Sequence, residues 1–227
     1  ASSNSQYMND PISSETQLFK PEMFKYWNRR PDGLYVGMAI DLAISEQRSA
    51  DYTAIKGCGM DKAYKLYVLD YMKGHWNPDA IVKNIFDMQS RWKPYAVGME
   101  VNGFQRTLKI ACEHEMRRRQ QYFHIEEIRT GPEKSKETRI KSLEPFYRNG
   151  SVYHAAWMRG KDLEVELQTF PRGKHDDLID AMSMVLPFLS PGVSSPGQKA
   201  AEYSWEWWFQ KGLEANRDFQ GFFNRGV

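Results

Sequence analysis

Asp176, Asp177 and Asp180 follow directly on the basic run Pro171-Arg172-Gly173-Lys174-His175. Leu178, Ile179, Met182, Val185, Leu186 and Leu189 then recur with helical spacing, so Asp176 falls at an N-cap position and three carboxylates crowd the first turns of one helix. Asp177 and Asp180 share a face, and Asp176 lies four residues before Asp180. A single acid there is ordinary capping and dipole complement. Three repel one another unless a cation or protons intervene. Two further carboxylates end apolar runs: Asp41 closes Leu34 to Asp41, and Glu100 closes Tyr95 to Glu100. Acids from separate elements, with no His or Cys among Asp41, Glu100 and Asp177, describe a hard-cation site for Mg²⁺ or Mn²⁺, suited to phosphate chemistry.

The elements that would bring these acids together can be read along the chain. Leu34 to Asp41 is short and apolar enough for a buried central strand. Asp51 to Gly57 and Tyr64 to Tyr71 follow at hairpin distances, which predicts an antiparallel meander. Asn77-Pro78 offers an N-cap and a proline at N1 for a helix running to Trp92, which serves as the crossover to the strand at Tyr95 to Glu100. Gly103 opens a second helix, and Tyr122 to Ile128 is a fifth strand. A right-handed crossover places the fourth strand beside the first, giving a mixed α/β sheet of five or more strands. Its expected order is three, two, one, four, five, with the second strand antiparallel and helices on both faces. Asp41 and Glu100 then meet at the carboxyl ends of neighbouring parallel strands, where open α/β sheets place their ligands. Further helices are expected over Thr138 to Arg148 and Lys161 to Thr169, with a short strand or hairpin arm over Ser151 to Ala156 between them.

Composition bounds the rest. The 227 residues are 41% apolar and 26% charged, as in ordinary globular proteins, and the chain has no apolar run long enough to span a bilayer. A net charge of +2 does not by itself imply nucleic acid, but Arg117-Arg118-Arg119, Lys134/Lys136/Arg139/Lys141 and Arg172/Lys174 are local basic clusters. Each cluster also has a plain reading as a solvated face. Cys58 and Cys112 have neither CxxC spacing nor a disulfide framework and read as buried free thiols. Residues 1–30 read as a linker ending in a short helix at the aromatic run Phe24-Lys25-Tyr26-Trp27, residues 31–190 as the folded domain and residues 191–227 as a tail in which Trp205, Trp207, Trp208 and Phe209 suggest an appended helix.

Five segments in series resemble the C-terminal nuclease domain of the large terminase subunit of tailed bacteriophages, a member of the RNase H-like, or retroviral-integrase-like, nucleases. They are Met38-Ala39-Ile40-Asp41-Leu42-Ala43, Asp51-Tyr52-Thr53-Ala54-Ile55, Met99-Glu100-Val101-Asn102-Gly103-Phe104, Lys136-Glu137-Thr138-Arg139-Ile140 and Phe170 to Ala181. The resemblance implies an RNase H-like fold and a two-metal endonuclease that cuts concatemeric double-stranded viral DNA during genome packaging. Asp41, Glu100 and Asp177 take the catalytic, metal-binding places, with Asp176 and Asp180 assisting as second-metal or outer groups. It implies two Mg²⁺ or Mn²⁺ ions with DNA bound. Lys136, Arg139 and Lys174, with Arg172 from the same basic loop, would contact DNA phosphates, which position a duplex without reading its sequence. His175 would orient a water or a phosphate. Ser151 to Trp157 resembles the family's mobile hairpin beside the active site.

The family's intact subunit also carries an ATPase motor. This chain has no G-x-x-x-x-G-K-[ST] phosphate loop, which leads to the expectation of a nuclease domain separate from its motor. The resemblance further implies the portal and the small terminase subunit as partners, a place in the host cytoplasm rather than the mature virion or a membrane, and an isolated domain that is monomeric. A Holliday-junction resolvase or transposase of the same fold, and a non-catalytic module docking motor to portal, are the alternative readings.

Overall fold

The structure is a computed structural model and describes residues 17–42, 52–100, 103–128 and 135–189. The Trp-rich tail, the start of the second expected strand at Asp51 and the charged loop from Thr130 to Lys134 lie outside the described residues. In chain order the strands are β1 (Lys25–Trp27), β2 (Tyr35–Asp41), β3 (Thr53–Met60), β4 (Leu66–Gly74), β5 (Ala96–Glu100), β6 (His124–Ile128) and β7 (Val152–Ala155). The α-helices are α1 (Pro78–Trp92), α2 (Gly103–Arg119), α3 (Lys136–Lys141), α4 (Glu144–Arg148), α5 (Asp162–Thr169) and α6 (Asp177–Val185). Among the described residues, no helix is long and apolar enough to cross a membrane.

The strands form one mixed sheet in the order β1-β7-β4-β3-β2-β5-β6. The five strands from β4 to β6 reproduce the order expected from the sequence, with β3 antiparallel to both neighbours and β5 parallel to β2. The expected crossover is α1, whose Asn77 Oδ1 accepts from the Ala80 N–H and whose Pro78 stands in the first turn.

Side-chain alternation divides the core into two layers. Met38, Ile40, Val97 and Met99 meet α1 and α2 through Ile85, Phe86, Leu108 and Cys112. Ala39, Ala54, Cys58 and Val68 meet the opposite layer, built by α3 to α6 through Ile140, Tyr147, Leu163, Leu167 and Ile179. Cys58 and Cys112 are buried and free, in different layers.

Three local expectations change. Residues 25–27, read as the end of a linker, form β1 and pair with β7, while Phe19 and Phe24 are buried in the core. Their aromatic density reflects packing rather than a helix. Ser151 to Trp157 is not a hairpin: β7 runs parallel between β1 and the first residues of β4, at the end of the sheet away from Asp41. The helix expected over Thr138 to Arg148 breaks at Ser142 and Leu143, and Pro145 starts α4 because it cannot continue the hydrogen-bond ladder of α3.

Candidate active site

Strand register sets the first two acids. Ile40 pairs with Met99 in the parallel β2/β5 ladder, so Asp41 and Glu100 follow at neighbouring strand ends. Alternation puts both on the face opposite Ile40 and Met99, the face that α6 covers where it lies across β2 and β3. Asp41 is largely buried, and burial pushes its carboxyl up to about 7; Lys136 opposes the shift, while Asp180, Asp177 and Glu100 add to it.

The third contribution comes from α6, all nine of whose residues are buried. Asp176 occupies the N-cap position as expected, but its side chain makes no cap hydrogen bond. The capping is supplied from α5. Glu166 Oε2 accepts from the Leu178 N–H at 2.8 Å and the Ile179 N–H at 3.3 Å, while its Oε1 accepts from Lys73 Nζ at 2.6 Å. A buried carboxylate on the exposed N–H groups of a helix start satisfies both the donors and the dipole. Lys73, near the end of β4, also stands 3.8 Å from Asp177 Oδ2. That oxygen is buried and makes no hydrogen bond. Burial raises the Asp177 pKa, against the pull of Lys136 and Lys73.

Two residues of α3 face the acids. Lys136 Nζ lies 2.8 Å from Asp176 Oδ1, 3.5 Å from Asp41 Oδ2, 3.8 Å from Asp177 Oδ1 and 3.8 Å from Asp180 Oδ2. Burial works against the charge on Lys136, but Asp41, Asp176 and Asp180 together outweigh it and hold its pKa above the ordinary lysine range. Arg139 grips Asp180 through both oxygens, Nε to Oδ1 at 3.1 Å and Nη2 to Oδ2 at 2.7 Å, and Ser183 Oγ donates to the same carboxylate. Asp180 is thereby committed to a planar two-bond pair.

The Lys136 ammonium thus lies within 3.8 Å of Asp41, Asp176, Asp177 and Asp180, with Glu100 close enough for its charge to bear on Asp41. Arg172 and Lys174 are exposed on the loop before α6 and take no part in the contacts just described. His175 approaches Asp177 Oδ2 at 3.9 Å and packs edge-on against Tyr52, which in turn lies against His75 at 4.2 Å between ring centroids. Gly173 holds that loop close to α5, since a Cβ there would lie 2.4 Å from Thr169 Oγ1.

Glu166, Lys73 and Tyr52 did not emerge from the sequence reading. For Glu166 a signal existed: with Leu163, Leu167 and Phe170 it falls on one helical stripe, an acid where an apolar residue is expected.

Among the described residues, no three His, Cys, Asp or Glu side chains stand about a common point as a formed metal cage. The donor set nevertheless suits a hard divalent cation: carboxylate oxygens from β2, β5 and α6, one of them buried without a hydrogen bond, and a protein ammonium already drawn to them.

Residues 38–187 match the family model described as the Terminase RNaseH-like domain. Among solved structures, the chain is similar to the large terminase nuclease of thermophilic phage G20c. The form with bound zinc matches at TM-score 0.54 and 16% identity, over 75% of this chain and 97% of that one. The form with bound magnesium matches at TM-score 0.51 and 13% identity, over 75% and 96%. The large terminase nuclease domain of Thermus phage P74-26 matches at TM-score 0.50 and 14% identity, over 74% and 93%. At these identities the likeness is one of fold. No curated protein matches the sequence.

Proposed function

The chain belongs to the terminase RNase H-like domain family, and from that premise we propose that it is a Mg²⁺- or Mn²⁺-dependent DNA endonuclease. Its substrate is concatemeric double-stranded viral DNA, cut during genome packaging by hydrolysis of the phosphodiester bond. The observation that carries this reading is the gathering of Asp41, Asp176, Asp177 and Asp180 around a single cation, at the strand ends where Glu100 also lies.

In this reading Asp41, Glu100 and Asp177 hold the metal. When bound, divalent ions supply a more nucleophilic water and neutralise charge on the phosphate and the leaving 3′ oxygen. The protein's own groups do the rest. Glu166 and Lys73 fix the start of α6, so that Asp177 faces Asp41 across the strand ends. Arg139 ties α3 to Asp180 of α6 and so sets the distance of α3 from the acids. Arg172 and Lys174 offer exposed positive charge beside the site for the DNA backbone, and His175 is at hand to orient a phosphate or water. The nuclease unit in this reading takes in residues 17–30 as well as 31–189, because β1 pairs with β7 and Phe19 and Phe24 lie in the core, and the ATPase motor and the portal are its partners. The small terminase subunit is the further partner, and the host cytoplasm the place of action.

Plasmid incubated with the protein and Mn²⁺ tests the proposal. Nicking and linearisation are expected from the native chain and are expected to vanish in Asp41→Ala and in Asp177→Ala. The two losses should be about equal to that of the double variant, because the acids act as a unit. Cleavage that survives in either single variant removes that residue from the mechanism.

A further inference from the structure

Lys136 and Arg139 meet the acids in different ways. Arg139 makes two hydrogen bonds to one carboxylate, which Ser183 also holds, a fixed pair inside the fold. Lys136 makes a single short contact, to Asp176, and stands 3.5 to 3.8 Å from Asp41, Asp177 and Asp180. Those three distances exceed a hydrogen bond and are the separations of a counter-ion shared among charges. Among the described residues no other cation reaches all four. The ammonium also sits on a flexible stem that is part exposed, at the first residue of a short helix whose start is pinned by Ser135 Oγ rather than by the acids.

We infer that Lys136 is an internal counter-cation: it holds the four aspartates together while no divalent ion is bound, and it must withdraw for one to enter. The inference rests on the metal-site reading above and adds that metal and lysine compete for the same oxygens. A divalent ion and an ammonium a few ångströms apart repel, so loading the site expels Lys136 toward solvent. There it lies beside the incoming strand, and a DNA phosphate becomes its next partner. Lys136 is a positioning residue, and metal loading and phosphate capture are coupled through it.

Calorimetric titration with Mn²⁺, at fixed pH and salt, is the direct test. Lys136→Met keeps the stem and removes the charge, and it is expected to bind Mn²⁺ at least tenfold more tightly than the native chain. Lys136→Arg keeps the charge and is expected to bind no more tightly. In EDTA the Met variant should melt below the native chain, with the gap closing in excess Mn²⁺. A lysine that merely braces the fold gives the reverse order, weaker Mn²⁺ binding once it is lost. Equal or weaker binding by Lys136→Met overturns the inference and leaves the metal site standing; no Mn²⁺ binding by any of the three overturns both. A second measurement needs no variant. Acetylation of Lys136 in the native chain by an amine-reactive reagent, followed by mass spectrometry, should accelerate when Mn²⁺ is added, and an unchanged or slower rate overturns the inference.

Discussion

Lys56 sits wholly inside the protein with no hydrogen bond to its ammonium, 4.8 Å from the centre of the Tyr71 ring. Burial lowers its pKa to about 8, against the weaker opposing pull of Cys58, Glu166 and Asp70. Between pH 8 and the ordinary value of 10.5 the unfolded chain therefore holds more protons than the folded one, and stability rises with pH across that window. Below pH 8 the full cost is present, on the order of 3 kcal/mol. Lys56→Met should be more stable than the native chain at pH 7, and the difference in urea midpoint should shrink as pH rises from 8 toward 10.5. A difference that is flat with pH would show that the charge is not the cause. Such a residue is hard to foresee, because a lysine amid Ala54, Ile55 and Cys58 looks like the solvent face of a strand until its neighbours are known. Asp41 and Glu100 were legible for the opposite reason: each ends an apolar run, so its position depends on the strand alone.

At the scale of elements, α6 depends on a group twelve residues upstream. Its own N-terminal residue makes no side-chain cap, and Glu166 of α5 serves instead, held in turn by Lys73 of β4. Glu166→Gln keeps the shape and removes the charge from both partnerships. We expect it to lower stability by about 1–3 kcal/mol in urea denaturation. It should also weaken DNA cleavage under conditions where the variant remains folded, because the start of α6 carries Asp177. Undiminished cleavage by folded Glu166→Gln would separate the cap from the site. The sequence suggested local capping by Asp176, since local patterns see only neighbours in the chain. The partner that performs the task arrives by packing. The same limit applies to the break between α3 and α4, and to Arg139, whose basic character suggested DNA while its geometry ties it to Asp180.

For the molecule as a whole, the five strands β2 to β6 and their order were readable because two hairpins and two crossover helices leave little freedom. The two strands beyond β4 were not. β1 has three residues, too few to show a period, and β7 joins the sheet between β1 and β4 through parallel pairing that no short turn announces. The consequence is that residues before the first central strand belong to the folded body. Phe19 is fully buried and packs on Tyr147 at 5.2 Å between ring centroids, with Phe170 beyond it at 6.2 Å. Phe19→Ala should cost about 3–5 kcal/mol, read from its urea midpoint, as for other large aromatic truncations in cores. A cost near zero would return this segment to the role of a tether.

The two borders of the sheet are unalike, and both are guarded. On one side, β1 offers three residues, and Lys25 turns back to donate to the Gly150 carbonyl. On the other, β6 carries His124 paired with Glu126, and Glu127 paired with Lys109. Short or charged margins give a second copy little on which to add a strand. Two copies pressed together would therefore find little backbone at either border on which to join edge to edge.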